Sequence, residues 1–230
     1  MKLVAHRGMH SKNTKENTFN AIMLGNKNKY IDAVEFDVRL SLDNEVVVIH
    51  DEVIDRVSNG SGKVSELSLE RLKRYNYGTF IKRSTINTLD EILSKIDSLK
   101  LLVIELKDVG NKNVLLANRV LDIIKNYPNL NICLKSFSEE IIDYLIKHSN
   151  RPIGALINKN TIGLLDKDVS FYSISKDIVS SNMVNEKLKN NKKIMVWTVN
   201  TIEQINEIKN ILNEKINDIY IISDNPLLFK

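Results

Sequence analysis

The chain has 230 residues, 43% of them hydrophobic and 27% charged, an ordinary globular composition with enough mass to bury a sizeable core, which excludes disorder as its main theme. Its 33 Lys and Arg against 29 Asp and Glu leave a net charge of +4 with the two signs interspersed, too weak a balance to argue for a nucleic-acid partner. The length permits one α/β barrel or two small domains and does not choose between them.

In chain order, apolar runs of strand length fall at residues 3–5, 33–37, 101–105, 131–135, 153–156, 170–174, 194–197 and 219–222, each rich in Val, Ile and Leu. Stretches with helical spacing lie between most of them, at 16–28, 89–96, 113–126, 139–148, 178–189 and 202–212. Several open on a capping residue: Asn87 or Thr88, Ser138 before Glu139-Glu140, and Thr201 before Glu203. Eight strands alternating with helices predict a TIM (β/α)8 barrel, a single domain over residues 1–230. Only 224–230 follow the last strand, so the final helix is expected to be missing or reduced.

The first run is too short for the apolar region of a signal peptide, and no run approaches the ~20 apolar residues of a membrane span. A soluble, cytoplasmic protein without a stable membrane anchor is expected. The single cysteine, Cys133, sits in an apolar stretch and reads as a buried core thiol.

One segment breaks the rhythm. Residues 34–40 and 45–50 both read as strands, but 41–44 is too short for a crossover helix, so an antiparallel hairpin turning near Asp43-Asn44 is predicted. His50 would then return to the level of Asp37. Residues 51–87, with Ser58-Asn59-Gly60-Ser61-Gly62 and a short amphipathic piece at 67–75, read as a small inserted cap region on the upper face of the barrel.

Reactive groups of such a barrel gather at the carboxyl ends of its strands. Polar residues cluster there: His6-Arg7-Gly8 after the first strand, Glu35 and Asp37 on the second, Glu105 and Lys107 on the third, Trp197-Thr198 on the seventh and Ser223-Asp224 on the last. Glu35 and Asp37 are two apart, so strand alternation sends both inward and Val34, Phe36 and Val38 outward. With Glu105 they make a hard, all-oxygen donor set suited to Mg²⁺ or Ca²⁺ rather than zinc. The other reading of these carboxylates is a set of buried salt bridges to Arg7 and Lys107. His6 and His50 are the natural acid and base, since imidazole exchanges a proton near neutrality. His10, in a polar loop, and His148, near a helix end, read as structural. Arg7 and Lys107 supply fixed positive charge for an anion, and a phosphate ester suits them better than a neutral substrate. Trp197 and Phe137 read equally as core packing or as a platform for a carbon skeleton.

These residues form an ordered set: His6-Arg7-Gly8, Glu16-Asn17-Thr18, Glu35-Phe36-Asp37, His50-Asp51, Glu105-Leu106-Lys107, Ser136-Phe137, Trp197-Thr198-Val199-Asn200 and Asp224-Asn225-Pro226. In that order, over essentially the whole chain, the sequence resembles the glycerophosphodiester phosphodiesterase family. The resemblance implies a metal-dependent TIM-barrel hydrolase that cleaves glycerophosphodiesters, small-molecule substrates, to glycerol 3-phosphate and an alcohol. It implies His6 and His50 as the acid-base pair, Glu35, Asp37 and Glu105 as ligands of a divalent ion, and Arg7 and Lys107 as phosphate grips. Phe137 and Trp197 would hold the substrate's carbon skeleton, and Glu16, Asn17 and Asp51 would support the catalytic loops.

Three positions depart from the family's pattern: Lys15 stands where Pro is usual, Ser223 where Thr is usual, and Asn190-Asn191-Lys192 lacks a common Gly. None is a metal or proton-transfer position. Competing readings are a phosphodiesterase acting on lysophospholipids or glycerol-phosphate polymers, and a barrel that binds phosphate without catalysis.

Overall fold

The computed structural model describes residues 1–97 and 99–230. The chain opens with β1 (Lys2–Ala5), α1 (Phe19–Lys27) and β2 (Ala33–Leu40), followed by β3 (Val46–Val48), α2 (Leu69–Lys73) and α3 (Leu89–Leu93). From β4 (Leu101–Leu106) onward strands and helices alternate: α4 (Asn113–Ile124), β5 (Ile132–Ser136), α5 (Glu139–His148), β6 (Ile153–Ile157), β7 (Phe171–Ser175), α6 (Ser181–Lys189), β8 (Lys193–Trp197), α7 (Ile202–Leu212) and β9 (Tyr220–Ser223). Every strand except β3 pairs in parallel with its neighbour, and β9 closes the ring against β1, which also pairs with β2. This is the predicted eight-stranded barrel. A short 3₁₀ turn, Ile162–Asp166, replaces the helix between β6 and β7, and another, Pro226–Phe229, follows β9.

The predicted helix starts at 16 and 178 are early by three residues, since the helices begin at Phe19 and Ser181. Thr18 and Ser180 are the true caps, their hydroxyls accepting from the Ala21 and Met183 amides, which leaves 16 and 17 free to turn toward the barrel mouth. Thr88 and Glu91 form a full capping box at the start of α3.

Alternation along the strands divides the apolar residues into two layers. Val4, Ala33, Val103, Cys133, Phe171, Met195, Tyr220 and Ile222 fill the barrel interior, whereas Val34, Phe36, Val38, Ile104 and Leu134 pack outward under the helices. Burial pushes the Cys133 thiol up to about 12, so it behaves as the inert core thiol expected. The hairpin is present: Val38 faces Val48 and Leu40 faces Val46, and the Ser41 hydroxyl ties the turn by accepting from the Glu45 amide. The Ile49 amide donates to the Asp37 carbonyl at 3.0 Å, which sets His50 beside the carboxyl end of β2. Residues 51–87 carry their own small core of Ile54, Val64, Leu67, Leu72, Tyr77 and Ile86, seated on Val47 and Ile49 of the hairpin. Among the described residues no helix is long and apolar enough to cross a membrane.

Candidate active site

Strand register sets the floor of the site. Asp37 pairs laterally with Glu105, and Glu105 with Lys135, so three charged residues share one inward row, with Glu35 one layer below on β2. Glu35 and Asp37 are 0% and 1% exposed, Glu105 5% and Lys135 2%. At such burial a charge persists only if it is paired. Lys135 Nζ lies 3.1 Å from Glu35 Oε1 and 3.4 Å from Glu105 Oε2, and Lys107 Nζ lies 2.9 Å from Asp37 Oδ1 and against Glu105 Oε1. Burial opposes the charge on both lysines, but the facing carboxylates outweigh it and raise both pKa values. Burial likewise opposes ionisation of Asp37, and Lys107, His50 and Arg7 reverse it, holding the carboxyl well below its usual range.

The rim comes from loops. Arg7 has φ 54° and Gly8 φ 79°, and a Cβ on Gly8 would stand 2.5 Å from the Ala21 backbone carbonyl carbon, so only glycine lets the loop after β1 lie down on α1. That turn aims the Arg7 amide at Glu35 Oε2, 3.0 Å away. Asn17, also at positive φ, donates from Nδ2 to Asp37 Oδ2 and accepts from the Asp37 amide. The Arg7 guanidinium donates to Glu16 at 2.7 Å with its Nε 3.5 Å from Asp37, and Arg56 from the insertion grips both Glu16 and Asp51.

Each catalytic candidate histidine has one ring nitrogen committed. His6 Nδ1 donates to Asp224 Oδ1 at 2.7 Å, and His50 Nδ1 donates to Asp51 Oδ1 at 2.8 Å; carboxylates only accept, so in both neutral rings Nε2 is the free nitrogen. Their surroundings differ. Burial pushes His6 down, but the Asp224 hydrogen bond and Glu35 overcome it and the pKa is raised; burial pushes His50 down, and with Lys107 and Arg7 it outweighs Asp37 and Asp51. A cavity of about 90 Å³ is lined by His6, Arg7, His50, Glu105, Lys107, Lys135, Phe137, Leu156, Trp197 and Ile222. Trp197 and Phe137 meet edge to face at 5.6 Å, and the indole N–H is fixed on the Ser173 carbonyl.

The salt bridges of the carboxylates to Arg7 and Lys107 are therefore present, and Lys135 adds a third cation that the sequence reading did not include. Among the described residues, the buried oxygens Glu35 Oε1 and Asp37 Oδ1 meet no hydrogen-bond donor beyond the ammonium groups of Lys135 and Lys107, at 3.1 and 2.9 Å. One ligand atom from each of Glu35, Asp37 and Glu105 falls within 4.8 Å of the others. A hard divalent cation fits this donor set.

The profile of the glycerophosphoryl diester phosphodiesterase family matches residues 6–226. The chain belongs to that family. A glycerophosphodiester phosphodiesterase of Caldanaerobacter subterraneus is 34% identical over 71% of this chain and 65% of the relative, and Bacillus subtilis YhdW is 28% identical over 87% and 86%. Among solved structures, the phosphodiesterase of Oleispira antarctica in complex with the product sn-glycerol-3-phosphate superposes with a TM-score of 0.85 at 22% identity, covering 98% of this chain and 94% of that one. The glycerophosphodiester phosphodiesterase of Thermotoga maritima superposes with a TM-score of 0.79 at 26% identity, covering 99% and 96%.

Of the residues expected from the sequence, His6, Arg7, His50, Glu105, Lys107, Phe137 and Trp197 line the cavity of this family member, and Glu35, Asp37, Glu16, Asn17 and Asp51 are joined to them through the contacts described above. Four others join them. Lys135 reaches the carboxylates from β5, Asp224 orients His6, and Arg56 bridges Glu16 to Asp51. The fourth, His10, keeps a structural part: its Nε2 donates to Asp224 Oδ1 at 3.1 Å, sharing with His6 a carboxylate 214 positions away. His148 stacks on Tyr144 within α5 and bonds the Tyr144 carbonyl, as a structural histidine should.

Proposed function

We propose that this chain hydrolyses glycerophosphodiesters to glycerol 3-phosphate and an alcohol with a divalent ion, Mg²⁺ or Ca²⁺, held by Glu35, Asp37 and Glu105. The observation that carries this reading is one cavity lined by His6, His50 and Glu105, with Glu35 and Asp37 converging on Glu105 so that one oxygen of each lies within 4.8 Å of the others. The bound ion would supply Lewis-acid stabilisation of the charge that builds on the phosphoryl oxygens.

The protein's own groups divide the remaining work. Lys107 and Arg7, both on the cavity wall, hold the phosphate's charge, and the Phe137-Trp197 pair packs the glycerol carbons. His50, its pKa lowered, accepts the proton of the attacking hydroxyl at Nε2. His6, its pKa raised, donates a proton from Nε2 to the departing alkoxide as the P–O bond to the alcohol breaks. One bond to phosphorus forms, one breaks, and the proton taken by one imidazole is balanced by the proton given by the other. Residues 51–87 serve as a small cap, with Arg56 as its tie to the catalytic loops.

Phosphorus NMR of the metal-reconstituted protein with choline, ethanolamine and glycerol diesters tests the proposal. Glycerol 3-phosphate should accumulate in each, and a cyclic phosphate appearing first would identify the substrate's own hydroxyl as the attacking group. No turnover of any diester with either metal would overturn it.

A further inference from the structure

The most exposed apolar residues of the molecule stand together. Phe80 is 98% exposed and Ile81 91%, at the tip of a tight turn in the insertion. This turn is built. The Tyr77 amide donates to the Ser84 carbonyl and the Thr79 amide to the Lys82 carbonyl, and the Asn76 side chain accepts from the Gly78 and Ser84 amides and donates to the Thr79 carbonyl. A Cβ on Gly78 would fall 2.0 Å from the Lys82 carbonyl oxygen, so the two arms close this tightly only over glycine. Displaying two large apolar side chains on such a frame costs solvation that a polar pair would avoid.

The charge around the tip is one-sided. Residues 70–83 hold Arg71, Lys73, Arg74, Lys82 and Arg83 against Glu70 alone, an excess of four that equals the net charge of the whole chain, +4. Lys73 and Arg74 are paired, with Glu91 and Glu70, but among the described residues Lys82 and Arg83 have no ion-pair partner and both are exposed. Apolar side chains at a tip with unpaired cations at its foot match the two layers of an anionic bilayer surface, acyl chains below and phosphate headgroups above. The foot also stands beside the active site, since Tyr77 lines a narrow cleft with His50 and Glu16.

We infer that the Phe80-Ile81 turn is a reversible docking site for an anionic phospholipid bilayer, with Lys82 and Arg83 binding headgroups. The inference does not depend on the proposed reaction, because docking is measured without turnover.

Vesicle flotation tests it, with phosphatidylcholine alone and with phosphatidylcholine and phosphatidylglycerol in equal parts. The wild type should float with the anionic vesicles, hardly with the neutral ones, and be released by salt. Replacing the tip, Phe80→Ser with Ile81→Ser, should weaken anionic-vesicle partition by roughly tenfold or more, and Lys82→Gln with Arg83→Gln should weaken it by a similar factor. Melting temperature and hydrolysis of a water-soluble diester should be unchanged in both variants. Failure of the wild type to bind anionic vesicles, or tip variants that bind as the wild type does, would overturn the inference. So would light scattering that shows a dimer which the tip variants dissociate, since the tip would then be covered by a second copy of the chain.

Discussion

Lys135 Nζ stands 3.1 Å from Glu35 Oε1 inside the barrel, a fully buried ammonium facing a fully buried carboxylate. Removing one partner of such a pair costs about 3–5 kcal/mol, because the other is left charged without compensation. Lys135→Met should therefore lower the metal-free protein's unfolding free energy by about that amount. Added Mg²⁺ or Ca²⁺ should raise the melting temperature of the variant more than that of the wild type, since the cation then supplies the missing charge. A loss under about 1 kcal/mol in denaturant titration would mean that Lys135 does not carry the pairing.

Metal removal gives the second prediction. Glu35, Asp37 and Glu105 each bring one ligand oxygen within 4.8 Å of the others, a donor set that a hard divalent cation fits. Exhaustive chelation should abolish turnover, with recovery on adding Mg²⁺ or Ca²⁺. Calorimetric titration should find one strong site that Glu105→Gln weakens. Full activity in protein shown by elemental analysis to be metal-free would sink the assignment, and zinc as the best activator would contradict the all-oxygen donor set.

How much of this was legible before folding depends on the range of the contacts. The barrel, the hairpin and the inward phase of Glu35, Asp37 and Glu105 follow from period-two alternation and turn length, which are local. Lys135 shares the inward phase of Cys133, two residues earlier, but the apolar run 132–134 conceals it as an end of strand. Asp224 meets His6 and His10 at separations of 218 and 214, and Arg56 meets Glu16 at a separation of 40. The predicted barrel closure brings the ends of β9 and β1 together but does not say which side chains meet there, and the fold of the insertion over Glu16 has no local pattern behind it.

The two histidines should separate by leaving group. His6→Ala and His50→Ala should each lower kcat on a choline diester by roughly 10² to 10⁴, the usual span for a general acid or base. With a nitrophenol leaving group, which departs without protonation, His6→Ala should recover most of its loss and His50→Ala should not. Recovery by the His50 variant instead would reverse the two roles.

His6 Nδ1 donates to Asp224 Oδ1 at 2.7 Å, and the pairing makes stability depend on pH. The folded pKa of His6 is raised above 6.5, so its pairing with Asp224 stabilises the fold fully below that value and is lost as pH rises through the folded pKa. The Asp224 pKa is depressed below 3.8, so its share is present above that value and fades as pH falls through the folded pKa. The pair thus contributes most between the two ordinary values. Asp224→Asn should cost about 1–3 kcal/mol near pH 5 and less above pH 8. In proton NMR its His6 resonance should titrate at lower pH than in the wild type. An unchanged His6 titration would show that Glu35, not Asp224, holds the ring's charge.

Substrate reading should be strong at the phosphate and weak beyond it. The cavity wall offers Lys107 and Arg7 for charge and the Phe137-Trp197 pair for carbon. No second set of convergent polar groups lines that cavity, so the alcohol projects outward and is loosely read. Choline, ethanolamine and glycerol diesters should differ only modestly in kcat/KM, whereas a diester lacking the glycerol unit should be much poorer. Lys107→Ala removes a contact to the phosphate that all of them share, so it should lower kcat/KM for each by a similar factor. A preference above roughly a thousandfold for one headgroup would require recognition of about 4 kcal/mol. Such a preference would point to residues 51–87, whose Arg56 already reaches Glu16 and Asp51 beside the two catalytic loops.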